Sequence, residues 1–326
     1  MIARFMRSLV TGSGGFVGSN LVRHLAALGH EVAAVVHPGG DRWRLADVED
    51  EVEIVDLDLL DPDAIGTVLA AQRPEWVFHL AAHGAYSWQR DTELIMQTNL
   101  VATVRLLAAA QASAFGAFVH AGSSSEYGFK DHPPAETEYL EPNSDYAVMK
   151  AAATQHCRFV AQREDRHVVT LRLYSVYGPW EDPGRLMPTL AARGLEGDLP
   201  PLVSPDTPRD FVSVRDVVRA FVTAAERSDL PRGSVFNVGS GVQRTLREVV
   251  AMAREELGIE VEPEWGTEPP RPWDARIWVS DSTLATQALG WCAEDDLRTG
   301  FRALVDWLRE VPDLWRRYGI AVGSPR

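Results

Sequence analysis

The sequence has only two cysteines, Cys157 and Cys292, far apart in a chain of 326 residues. Neither has the spacing of a metal ligand, so both read as reduced thiols in packed positions and no metal site is expected. Long apolar runs are also lacking: none reaches the roughly 18 residues that a membrane span needs. Too few residues precede the first apolar run to hold a secretory leader, which gives the expectation of a cytoplasmic protein. An excess of basic charge is missing as well. Lys and Arg number 32 against 46 Asp and Glu, a net charge of −14, which speaks against a general nucleic-acid surface and leaves any anionic ligand to local arginines. No linker, repeat or low-complexity stretch divides the chain. Its length suits two closely associated lobes around a substantial core.

What the chain does have, near its start, is a glycine loop. Ser8-Leu9-Val10 reads as a strand that breaks at Thr11-Gly12-Ser13-Gly14-Gly15-Phe16-Val17-Gly18, and Leu21, Val22, Leu25, Ala26 and Leu28 then fall at helical spacing before Gly29. Glycines at 12, 15 and 18 let a backbone turn tightly, approach a pyrophosphate and pack the next helix close to the strand. The helix N-terminus then points free N–H groups and the positive end of its dipole at the phosphates. A glycine triplet also serves any tight strand-to-helix turn, so the loop alone does not decide.

Glu31 to Val36 reads as the second strand, and its end is where an adenosine ribose is expected to lie. An acid there selects NAD, whereas a nearby arginine accepts the 2′-phosphate of NADP. His37 holds the position, followed by Asp41, Arg42 and Arg44. The missing acid and the two arginines favour NADP, although both arginines also read as solvated surface charges and Asp41 is close enough to reach a ribose. Further strands follow at Glu53 to Leu59, at Glu75 to Ala82, which ends in the small residues Ala81 and Ala82 after Leu80, and at Ala117 to Ala121. Strands alternating with helices predict an α/β fold, a doubly wound parallel sheet with ligands at the carboxyl ends of its strands.

The strand from Ala117 runs into Gly122-Ser123-Ser124-Ser125-Glu126-Tyr127-Gly128, and Tyr146 and Lys150 follow, four apart in a helical stretch. Such a pair shares one helix face. A phenol that must exchange a proton near neutral pH needs its ordinary value of about 10 lowered, and a neighbouring ammonium does that. The same spacing also occurs as an ordinary surface pair on a helix.

Together, Thr11-Gly12-x-x-Gly15-x-x-Gly18, Asp58-Leu59, Asn99, Ser123 and Tyr146-x-x-x-Lys150 resemble the extended short-chain dehydrogenases/reductases, in their nucleotide-sugar epimerase/dehydratase/reductase branch. The likeness covers nearly the whole chain and continues through Leu171 to Pro179, Arg209 to Val212, Val235 to Gly241, and Arg271-Pro272-Trp273-Asp274 with Asp281. It implies a Rossmann sheet formed by residues 1–178 and about 211–240, and a smaller mixed α/β substrate lobe from 179–210 and 241–326. It implies a catalytic set of Ser123, Ser124, Tyr146 and Lys150. Around the cofactor it places Gly12, Gly15, Phe16, Val17, Gly18, His37, Arg42, Asp58, Leu59, Leu80, Ala81, Ala82, Asn99, Lys150, Tyr174 and Val176. Ser125, Ser175, Arg209 and Arg271 are expected on the substrate, the two arginines gripping its pyrophosphate. An Asn is usual where Ser175 stands, so the hydrogen bond that Asn makes is in doubt here. Trp180 and Trp273 read as core rather than as stacking platforms. The helices around Asn99 to Ala114 and Tyr146 to Val160 fit the family's paired-helix homodimer, and equally fit burial within one subunit.

In the 4,6-dehydratases of this branch an acid pair follows the catalytic Ser or Thr. Here Ser124 and Ser125 follow Ser123, and Glu126 falls one residue late, so dehydration lacks its usual acid and base. The expectation is therefore reduction of a nucleoside-diphosphate 4-keto-(6-deoxy)hexose with NADPH, the alternative being an NAD-dependent 4-epimerase that retains its cofactor. More remote readings are a reductase of a non-nucleotide carbonyl and a non-catalytic cofactor sensor, the latter disfavoured by the intact Ser123, Tyr146 and Lys150.

Overall fold

The computed structural model describes residues 5–86, 88–113, 115–266 and 276–320. Arg271, Trp273 and Asp274 lie outside them. The first half alternates strands and helices: β1 (Arg7–Thr11), α1 (Phe16–Ala27), β2 (Glu31–Val36), β3 (Glu53–Asp56), α2 (Pro62–Gln72), β4 (Trp76–His79), α3 (Thr92–Met96), α4 (Ala102–Ala112) and β5 (Ala117–Ser123). The second half holds α5 (Asp145–Arg163), β6 (Val168–Leu173), β7 (Ser175–Tyr177), α6 (Leu186–Leu195), β8 (Pro208–Ser213), α7 (Val214–Glu226), β9 (Val235–Val238), β10 (Gln243–Thr245), α8 (Leu246–Leu257) and α9 (Leu297–Glu310).

Seven strands form one parallel sheet in the order β3-β2-β1-β4-β5-β6-β9. Its strands read as continuous apolar runs because both faces are covered. Val10, Val36, Phe78 and Val119 pack on one face with residues of α1 and α7, while Leu9, Val35, Val77 and Phe118 pack on the other with residues of α2, α4 and α5. Strand order reverses between β1 and β4, so consecutive connections leave the sheet on opposite sides there and open a crevice at the strands' carboxyl ends. A second sheet, β10-β8-β7, is mixed. Beneath it a separate core gathers Met187, Leu190, Val249, Phe301 and Leu304 from α6, α8 and α9. Trp180 is buried against Trp43 and Trp307, in the core as its sequence context implied.

Candidate active site

The glycine loop sits at the β1/β4 crevice, and the backbone explains its composition. Gly12 has φ +72°, and a Cβ on it would lie 2.7 Å from the backbone of Leu80 and Ala81 at the end of β4. A Cβ on Gly18 would lie 2.1 Å from the Gly12 carbonyl. Neither position tolerates a side chain without moving backbone. Gly15 is the N-cap of α1 and supplies no side-chain cap, and the first turn holds no acid. The free N–H groups of Phe16 and Val17 and the helix dipole therefore face the crevice uncompensated, a cradle that fits a dinucleotide pyrophosphate.

At the adenosine end the two arginines do not converge as expected. Arg42 is paired with Asp56, its guanidinium 2.5 and 2.6 Å from the two carboxylate oxygens. Arg44 turns the other way and donates to the carbonyls of Trp180, at 2.7 Å, and Gly14, at 3.2 Å, tying the loop after Pro179 to the glycine loop. Asp41 is held by Arg317 and by the Trp43 N–H. His37 is exposed, with its ring Nδ1 2.9 Å from the Pro38 carbonyl. Asp58 caps the turn after β3 by accepting from the Leu60 N–H, and Leu59 follows it partly buried.

On the other side of the crevice, β5 delivers Ser123 and α5 delivers Tyr146 and Lys150. Ser144 caps α5, its hydroxyl accepting from the Ala147 N–H, which starts the helix in time to put Tyr146 in its first turn. The neighbouring Ser123 hydroxyl lowers the Tyr146 phenol, but burial outweighs it and pushes the phenol up to about 12. Lys150 is buried, and desolvation pulls its ammonium down to about 8 against the opposing attraction of Glu126. Ser124 is buried and Ser125 partly so, the Ser125 N–H donating to the Ser123 hydroxyl.

Glu126 does not face the substrate side of the crevice. Its Oε1 accepts from the Ser123 N–H and the Thr154 hydroxyl, both at 2.9 Å, and its Oε2 takes the Arg172 Nε–H at 2.9 Å. Arg172 donates onward to the Tyr127 hydroxyl, which donates to Asn237 Oδ1. This buried network clamps the serine turn from behind, and nothing in the spacing of the sequence announces it.

A second set of contacts escaped the sequence reading. The Thr103 hydroxyl donates its single proton to the Asn99 carbonyl at 2.7 Å, so it must accept from His79 Nε2 at 2.9 Å; His79 Nδ1 then accepts from the Thr11 hydroxyl at 2.7 Å. Burial pushes His79 down to about 3, consistent with a neutral ring. Asn99 itself lies in a π turn, Gln97–Val101, and its side chain bonds the His83 backbone and the Ile95 carbonyl. The strand preceding Gly12 and the turn carrying Asn99 are thus joined through His79.

Toward the smaller lobe, Ser175 opens β7 in register with Phe211 of β8, placing Arg209 two residues upstream on the adjacent strand. The Arg209 guanidinium lies over the Trp278 ring, 5.6 Å from its centroid. Next to it, Asp210 is fully buried and accepts from the backbone of Ser240, Gly241 and Ser280 and from both serine hydroxyls, pinning β8 to those loops. Tyr174 is buried with its hydroxyl unpartnered, while Val176 is partly buried. No described helix is long and apolar enough to cross a membrane, and among the described residues no cluster of His, Cys, Asp and Glu suits a metal.

A parallel seven-stranded sheet with a glycine cradle at its switch point and a Ser-Tyr-Lys set facing it defines an extended short-chain dehydrogenase/reductase. Residues 8–239 match the family described as "NAD dependent epimerase/dehydratase family", and the chain belongs to that family. It is 35% identical to a UDP-glucose 4-epimerase of Mycolicibacterium smegmatis across 93% of this chain and 99% of that one. It is 28% identical to a GDP-6-deoxy-D-mannose reductase of Pseudomonas aeruginosa, covering 94% and 98% of the two chains. Among solved structures, the UDP-glucose 4-epimerase of Thermotoga maritima with UDP-glucose superposes with a TM-score of 0.86 at 28% identity, covering 94% of this chain and 99% of that one. The Thermus thermophilus UDP-glucose 4-epimerase in complex with NAD does so at 0.82 and 31% identity, over 93% and 99%.

Proposed function

We propose that this chain is a nucleoside-diphosphate-sugar 4-epimerase that keeps NAD bound between turnovers, in preference to the NADPH-consuming reductase that the sequence favoured. The observation that carries this reading is the engagement of Arg42 by Asp56. The case for NADP rested on Arg42 and Arg44 meeting a 2′-phosphate, and one is neutralised by a carboxylate while the other is spent on two carbonyls beside the glycine loop. The similarity to 4-epimerases along nearly the whole chain supports the same choice.

In this reading the glycine cradle and α1 hold the pyrophosphate, Asp58 and Leu59 lie at the adenine, and Leu80, Ala81 and Ala82 leave room along the β4 end. A nicotinamide held there would supply reversible hydride exchange at sugar C4. Tyr146 removes the proton from the C4 hydroxyl and later restores it, Ser123 orienting that oxygen from beside the phenol. A phenol near 12 is a poor base, so the work falls on the positive charges beside it. Arg185 supplies one, its charge opposing the effect of burial on Tyr146, while Lys150, one turn along α5, stays charged below about pH 8 with help from Glu126. Glu126 is locked into the Arg172 pair, which leaves the acid–base pair of a dehydratase without a member. Arg209 and Ser175, with Ser125 and Arg271, are assigned to the nucleotide-sugar, and the lobe around α6, α8 and α9 to its enclosure. The exposed Val148 and Phe159 on α5 support pairing with a second copy.

Identifying the nucleotide released when the purified protein is denatured tests the retained cofactor. The reading expects NAD and NADH near one equivalent per chain; NADP or NADPH contradicts it.

A further inference from the structure

The strand that selects between NAD and NADP in Rossmann folds ends here without its acid, and the structure offers a replacement from the neighbouring strand. Val36, the last residue of β2, is in register with Asp56, the last residue of β3. Asp56 therefore places a carboxylate at the end of the strand next to the position held by His37. Of the other charged groups on the segment after β2, Asp41 is held by Arg317 and Arg44 points to Gly14 and Trp180. Only Arg42 faces Asp56, with one guanidinium nitrogen shared by both carboxylate oxygens, and both side chains are about half exposed, at 45% and 52%.

We propose that Asp56 is the residue that makes this protein select NAD, acting in two ways at once. Its carboxylate repels the dianionic 2′-phosphate of NADP across the adenosine end of the crevice, a like-charge penalty of the kind that builds specificity by exclusion. It also occupies Arg42, whose guanidinium fork would otherwise pair with that phosphate. A ribose carrying only hydroxyls meets neither obstacle. The pair's exposure keeps its contribution to folding small, so removing it leaves the fold standing.

This inference rests on the NAD reading above, and one experiment separates their failures. Wild-type protein and its Asp56→Asn, Arg42→Ala and doubly substituted forms are stripped of bound nucleotide and then equilibrated with an equimolar mixture of NAD and NADP. Free nucleotide is removed, and the retained nucleotides are released and quantified by chromatography. Wild type is expected to retain NAD at least tenfold over NADP. Asp56→Asn should raise the NADP share at least tenfold relative to NAD, and adding Arg42→Ala to it should reverse most of that gain. Wild type retaining NADP over NAD overturns the NAD reading and this inference together. A wild type that prefers NAD while Asp56→Asn keeps the same ratio overturns the role of Asp56 alone. Circular dichroism of each variant confirms that retention is compared between folded proteins.

Discussion

Glu126 and Arg172 form an ion pair at 2.9 Å with both side chains sealed from solvent, at 0% and 2% exposure. The same carboxylate receives the Ser123 N–H, so the buried charge pair and the turn carrying Ser123 are one piece of structure. Breaking a buried pair by removing one partner leaves an uncompensated charge and costs about 3–5 kcal/mol. Arg172→Met should lower the urea midpoint accordingly, with the slope unchanged. A loss below about 1 kcal/mol would mean that water reaches Glu126.

Tyr146→Phe removes the hydroxyl to which the proposal assigns proton transfer and keeps the ring. Turnover should fall by the roughly 10²–10⁴-fold typical of a lost general acid–base group. Retained nucleotide, measured on the same preparation, should stay near the wild-type level. Activity within a few-fold of wild type would remove Tyr146 from the mechanism.

Lys150 carries a pH signature in protein stripped of nucleotide. Its folded value, about 8, lies below the ordinary lysine value, so in between the unfolded chain binds more protons and stability rises with pH. Compared with Lys150→Met, wild type should gain on the order of 1.4 kcal/mol per pH unit between about pH 8 and the ordinary lysine value, and nothing below or above that window. Urea titrations of both proteins across that range measure the difference. Parallel curves would show that Lys150 titrates as an ordinary exposed lysine.

Gly18→Ala tests the cradle. The added methyl would stand 2.1 Å from the Gly12 carbonyl, so the loop or the start of α1 must shift. Overpacking of this kind costs about 1–3 kcal/mol, and here the displacement falls on the groups assigned to the pyrophosphate. The variant should purify with its retained nucleotide reduced at least tenfold. Full retention would show that the loop yields without consequence.

The glycine loop, the alternating strands and the shared helix face of Tyr146 and Lys150 were legible in the sequence because each depends on local spacing, whereas Ser123 was placed only by resemblance. A helix periodicity fixes which residues share a face, and a strand followed by glycines fixes where a loop turns. What could not be read depends on where side chains meet across the fold. Glu126 read only as an acid one residue late, since Arg172 lies on another strand 46 residues away. Arg42 and Arg44 are two residues apart and read as one basic cluster, yet the turn after β2 sends them to Asp56 and to Gly14. His79 falls inside the strand expected from Glu75 to Ala82 with nothing to single it out, and its role appears only when Thr11 and Thr103 are seen on either side of the ring.

Accounting for hydride tests the central claim most directly. The purified holoprotein is incubated with UDP-glucose and, separately, UDP-galactose without added cofactor, while the absorbance of reduced nicotinamide is followed beside the identity of the sugar. A 4-epimerase with retained NAD is expected to bring both reactions to the same mixture of the two sugars over many turnovers per chain, with no net change in reduced nicotinamide. Failure to invert either sugar, together with stoichiometric consumption of added NADPH when a nucleoside-diphosphate 4-keto sugar is supplied, would contradict the account and return the protein to the reductases.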